Sequence, residues 1–141
     1  MMNRVVITGY GVASPIGNTP EDFLASLKNG TNGIGPITKC DAEATGISVA
    51  GEVKEFPLEK YFKKKDTKRM DMFSIYGIYA ALEALEMADL SNEKVDEDRF
   101  GVIVGSGIGG LPTIQDQVTR MNEKGPNRVS PMFVPMSIVN M

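Results

Sequence analysis

The chain has 141 residues, of which 42% are apolar, and a formal charge of −3, which suits one ordinary domain with a buried core. It holds one cysteine and no histidine, so it lacks an internal disulfide, a cysteine-built metal site and any Cys–His or Ser–His pair. The usual means of activating a nucleophile are absent, and a reducing, cytoplasmic setting is expected. No stretch approaches the ~20 apolar residues of a membrane span, and the opening MMNRVVITG is too short in its apolar run for a signal peptide.

Arg4 to Gly9 (RVVITG) is a β-branched run ending on glycine, which predicts a buried strand. After the loop YGVASPIGN a helix start is spelled out. Thr19 is the N-cap, Pro20 takes the first helical position and Asp22 makes a Thr-x-x-acid variant of the capping box. Phe23, Leu24 and Leu27 share a face, and Gly30 is the left-handed stop. Residues 31–45 read as glycine- and polar-rich loop, and Ile47 to Val53 as a strand. A basic stretch then leads into the longest helical pattern, residues 71–88, whose apolar side chains cover most of its circumference, as in a helix buried in a larger protein. Ser91 to Arg99 is a charged connection, Phe100 to Gly105 a second buried strand, and Pro112 to Lys124 an amphipathic helix closed by Gly125. Strands separated by helices favour an α/β fold with a mostly parallel sheet, and no internal repeat or domain boundary is evident.

Three features carry functional information. Gly105, Gly107 and Gly110 satisfy the G-x-G-x-x-G spacing after a strand, but the position about twenty residues on, where a dinucleotide fold keeps an acid for the ribose, is Ser130. A tight turn with close backbone packing is therefore preferred over dinucleotide binding. Lys60 to Arg69 (KYFKKKDTKR) holds six cations and one acid, a net +5 that leaves −8 on the rest of the chain. Cations ahead of a long helix oppose its dipole, so the window reads either as solvated surface or as a landing site for an acidic protein. Tyr61 and Phe62 are too few to stack nucleic-acid bases. Cys40, in the polar context T-K-C-D, has no sign of an activated thiol, and the methionines read as core filler.

Taken in order, RVVITGYGVASPIGN, the AGEV strand, RMDMFSIYGIYAALEAL, RFGVIVGSGIGGL and GPNRVSPMFVPMSIVNM resemble the N-terminal portion of the β-ketoacyl-acyl-carrier-protein synthases, in particular the elongating type II enzymes of bacterial fatty-acid synthesis. The resemblance covers essentially the whole chain. It implies a thiolase-like layered α/β sandwich, normally a homodimer, with residues 1–141 as the N-terminal portion of the condensing-enzyme domain. It also implies a decarboxylating Claisen condensation of acyl and malonyl thioesters presented by acyl carrier protein, with neither a cofactor nor a metal. The family's nucleophilic cysteine and both catalytic histidines are expected beyond Met141, Cys40 does not match the nucleophile's motif, and the chain by itself is expected to be inactive. Gly107 and Ile108, in the G-S-G-I-G-G turn, match the acyl pocket, where Ile108 would gate chain entry. Phe133 matches the aromatic that reaches a neighbouring subunit's pocket; the residues alone suggest ordinary core packing for both. Lys64, Lys65, Lys68 and Arg69, with Lys124 and Arg128, match the carrier-protein docking surface. Position 132 is Met where the family commonly has an aromatic. Alternatives are a non-catalytic chain-length-determining partner and, further off, a dinucleotide-binding α/β domain.

Overall fold

The computed structural model describes residues 4–90 and 95–139. They form two compact units, one of residues 4–58 with 79–90, the other of residues 59–78 with 95–139.

The first unit begins with the segment over Gly9 and Gly11, which lies against a long helix. A Cβ on Gly11 would run into the Ala80 carbonyl oxygen, so only glycine lets the two backbones approach this closely. Helix α1, Pro20–Asn29, starts and stops where its caps require. Thr19 Oγ1 accepts the Asp22 N–H at 3.2 Å, and Gly30 adopts φ 64° while Thr31 donates to the Ser26 carbonyl at 2.9 Å. Strands β1 (Ile34–Pro36) and β2 (Val49–Gly51) pair antiparallel, Gly35 opposite Ala50, and helix α2 (Ala42–Thr45) lies between them in the chain. Residues 31–45 are thus not simple loop. Asp41 caps the four-residue α2 and Gly46 closes it at φ 68°, in a segment too short to show helical periodicity. The ladder is antiparallel where a mostly parallel sheet was expected.

Glu52, the residue after β2, is buried and clamps the β1 side of the hairpin. Its carboxylate accepts Thr38 Oγ1–H at 2.6 Å, the Thr38 N–H at 3.0 Å and the Lys39 N–H at 3.1 Å. The Thr38 hydroxyl bond above all, with the backbone donors, holds the Glu52 carboxyl below its ordinary 4.5. A lowered folded value means stability that is complete above pH 4.5 and is lost as pH falls through the lowered value. Glu52→Gln is therefore expected to melt at lower temperature than wild type at about pH 6, with the gap closing toward about pH 3. Thermal melts across that range decide it, and a gap independent of pH would rule the clamp out as the source.

Helix α4, Met72–Met87, contributes to both units. Its buried positions, Ile75, Tyr79 and Glu83, recur every four residues, and the Tyr79 ring meets Phe56 at 4.5 Å between centroids. The apolar side chains expected over most of its circumference are only partly covered in this chain, with Met72, Ile78 and Met87 exposed. In the second unit, helix α3 (Lys64–Thr67) precedes α4; helix α5 (Leu111–Lys124) starts one residue earlier than expected, with Gly110 as its N-cap, and helix α6 spans Phe133–Ser137. Among the described residues no helix is long and apolar enough to cross a membrane.

Two expected strands do not form. Arg4–Gly9 and Phe100–Gly105 join no ladder among the described residues, and Val5, Ile7, Val102 and Ile103 are largely exposed. A strand takes its hydrogen bonds and its covered face from neighbouring strands, and none of the described residues forms one beside these runs. The charged connection over Ser91–Arg99 falls partly outside the described residues; its end is a 3₁₀ turn, Glu97–Arg99.

Candidate functional site

The cations singled out in the sequence lie in the second unit on short, locally held elements. Phe62 is buried and pins the segment from which α3 emerges. Lys64 and Lys65 sit in α3 with no side-chain cap ahead of them; Lys68 and Arg69 follow, the latter donating its N–H to the Asp66 carbonyl at 3.1 Å. All four side chains are exposed. Lys124 ends α5, and Arg128 ends the 3₁₀ turn Pro126–Arg128 that follows Gly125, which has φ 87°.

The fold brings part of this set together. One open groove of about 430 Å³ is lined by Lys68, Asp71, Thr113, Arg120, Ser130 and Phe133 among others, and a second of about 540 Å³ by Arg120, Lys124 and Arg128. Arg120 is common to both, so it links Lys68 to the Lys124–Arg128 pair, while Lys64, Lys65 and Arg69 line neither groove. Sequence reasoning missed Arg120; the available signal was its place one helical turn before Lys124 on the amphipathic helix. Asp116 lies 3.8 Å from the Arg120 guanidinium and accepts a 2.7 Å bond from Gln117 Nε2. The Gln117 Oε1 accepts the Ser130 N–H at 2.7 Å, which fixes the turn carrying Arg128 against α5.

Phe133 is half-buried at the first groove. Ile108 is 69% exposed and lines neither groove, and no atom stands near a Cβ placed on Gly107. Gly105 is equally open, whereas Gly109 and Gly110 of the same turn are tightly enclosed. A Cβ on Gly110 would stand 2.7 Å from both Asp71 Oδ2 and the Met136 carbonyl oxygen, and Gly109, at φ 90°, abuts the Ser137 carbonyl. The start of α5, where a dinucleotide's pyrophosphate would need to sit, is filled by the chain's own anion, the Asp71 carboxylate bonded to Thr113. Among the described residues no cluster of three or more His, Cys, Asp or Glu forms a metal site. The groove lined by Arg120, Lys124 and Arg128 is open and cationic, and the first groove mixes Lys68 and Arg120 with Asp71, Asp116 and apolar side chains.

A family model described as "Beta-ketoacyl synthase, N-terminal domain" matches residues 2–141. A 3-oxoacyl-[acyl-carrier-protein] synthase 2 of Synechocystis sp. (strain ATCC 27184 / PCC 6803 / Kazusa) is 44% identical over 138 residues, covering 98% of this chain and 33% of that protein. The chain thus spans about a third of the length of the curated relatives it matches. Among solved structures, a beta-ketoacyl synthase from Burkholderia phymatum STM815 superimposes with a TM-score of 0.77 at 26% identity, over 97% of this chain and 34% of that one. A type II PKS acyl-carrier protein in complex with its ketosynthase bound to the hexaketide gives a TM-score of 0.74 at 26% identity, over 94% and 34%.

Proposed function

This chain belongs to the β-ketoacyl synthase family through its N-terminal domain, with that family's thiolase-like α/β fold, and from this premise we propose that it serves a 3-oxoacyl-[acyl-carrier-protein] synthase of fatty-acid elongation. In the reaction, an enzyme cysteine thiolate takes the acyl group from its carrier thioester. Malonyl-carrier thioester then loses carbon dioxide, and the carbanion so formed attacks the acyl-enzyme carbonyl. The carbon–carbon bond forms as the cysteine sulfur leaves as thiolate. Residues 1–141 would be the N-terminal portion of that condensing domain. They would supply the acyl-pocket wall with Gly107, Ile108 and Phe133, contacts of a homodimer, and the docking surface for acyl carrier protein, but no nucleophile.

The observation that carries this reading is identity at 44% across 98% of the chain to a protein of that name. The basic surface supports the choice of partner: Lys64, Lys65, Lys68 and Arg69 are exposed, and Lys124 and Arg128 share a groove with Arg120. An acidic carrier gains both orientation and association rate from such a face. Elongation of carrier-bound acyl chains by the full-length enzyme is the direct test. Within it, Ile108→Phe is expected to narrow the pocket and depress kcat/KM for long-chain substrates by about tenfold relative to short ones, the scale on which a hydrophobic pocket discriminates added methylenes. An unchanged chain-length profile would reject the gate.

A further inference from the structure

Asp71, which lines the first groove beside Lys68 and Phe133, sits where the supports of the docking and pocket residues meet. It is 6% exposed, and its two carboxylate oxygens serve different helices. Oδ1 accepts the Phe73 N–H at 3.3 Å in the first turn of α4. Oδ2 accepts both the N–H of Thr113, at 3.2 Å, and its Oγ1–H, at 2.6 Å, in the first turn of α5 and 42 residues further along the chain. An anion so placed faces the positive ends of two helix dipoles and satisfies donors that helix starts leave unpaired. The same oxygen closes over Gly110, whose N–H donates at 3.0 Å to the Ser137 carbonyl of α6. One carboxylate therefore ties together the start of α4, the start of α5 and the glycine turn seated on α6.

The residues of interest hang from this joint. Ile108 stands two positions before Gly110, Phe133 opens α6, and Lys68 and Arg69 precede Asp71 with only Met70 between. We infer that Asp71, acting through Thr113 and Gly110, is a positioning residue for acyl-chain selection that sets where Ile108 and Phe133 stand. The inference rests on the reading of those two residues as pocket wall. A short acyl chain needs little of that wall, whereas a long one must pass Ile108 and meet the deeper wall to which Phe133 contributes across the homodimer, so a loosened joint penalises the long chain more.

The test uses the full-length enzyme and the ratio of kcat/KM for long-chain over short-chain acyl-carrier substrates. Asp71→Asn keeps the shape but sets an amide donor against donors, while Thr113→Val removes only the 2.6 Å hydroxyl bond. Each is expected to lower the ratio by roughly tenfold, the factor carried by a hydrogen bond to a charged group, with kcat moving more than KM. The double variant is expected to shift no further than Asp71→Asn alone, because both changes break one interaction, and Thr113→Ser is expected to restore the wild-type ratio. Should Asp71→Asn fail to fold, Thr113→Val and Thr113→Ser carry the comparison. A lowered melting temperature with the ratio unchanged, or shifts that add independently, overturns the inference. Failure of the pocket reading itself shows elsewhere, as an Ile108→Phe enzyme with an unaltered chain-length profile.

Discussion

Replacing Lys65, Lys68 and Arg69 together by glutamate is expected to raise the KM for an acyl-carrier-protein thioester by about 30-fold while leaving a small thioester substrate within about twofold. The three side chains are exposed, so each contributes only a modest attraction of a few tenths to about 1 kcal/mol, and reversal replaces it with a repulsion of similar size. Summed over three positions this is about 2 kcal/mol, or about 30-fold in affinity. The window from Lys60 to Arg69 would pass from a net +5 to −1. Because exposed charges are screened over about 10 Å at 0.1 M salt and about 3 Å at 1 M, the defect should shrink as ionic strength rises. Stability should hardly change, since α3 gains nothing from cations in its first turn. Steady-state kinetics on the two substrate types settle the matter: equal loss on both would mean that the reversal damages the enzyme rather than its landing surface.

The second large effect concerns the glycine turn. Gly110→Ala is expected to destabilise the protein by about 2–4 kcal/mol, whereas Gly105→Ala and Gly107→Ala should lie within about 0.5 kcal/mol of wild type. The added methyl at Gly110 would stand 2.7 Å from Asp71 Oδ2, a buried carboxylate oxygen held by two donors of Thr113, and equally close to a backbone carbonyl. Neither neighbour can yield as a flexible side chain does. Around Gly105 and Gly107 there is open space. Against a total stability of about 5–15 kcal/mol, the loss at Gly110 is large enough to read directly in a denaturant midpoint. A Gly110→Ala protein as stable as Gly107→Ala would mean that the joint at Asp71 is loose. The three glycines are equivalent members of one spacing pattern; their surroundings separate them.

That contrast shows what could be read in advance. Helix α1 was legible to the residue because cap chemistry is local: Thr19 and Gly30 act on neighbours a few positions away. The runs Arg4–Gly9 and Phe100–Gly105 announce apolar, β-branched stretches, but a ladder is a property of two segments, and among the described residues no partner strand stands beside either. The exposed Met72, Ile78 and Met87 belong to the same lesson, since apolar residues state a demand for cover without naming what supplies it. In the candidate site the basic window was visible as composition, whereas Arg120 becomes notable only when α5 sets it between Lys68 and Lys124. Asp71 could be seen as a helix starter; its bond to Thr113, across 42 residues, could not.

Cys40 acquires a practical meaning from its address. It is the only thiol in the chain, it is exposed, and it follows directly on Lys39, whose amide is gripped by Glu52. A maleimide dye attached there would report the loosening of that hairpin grip during acidification, from a unit other than the one carrying the basic face.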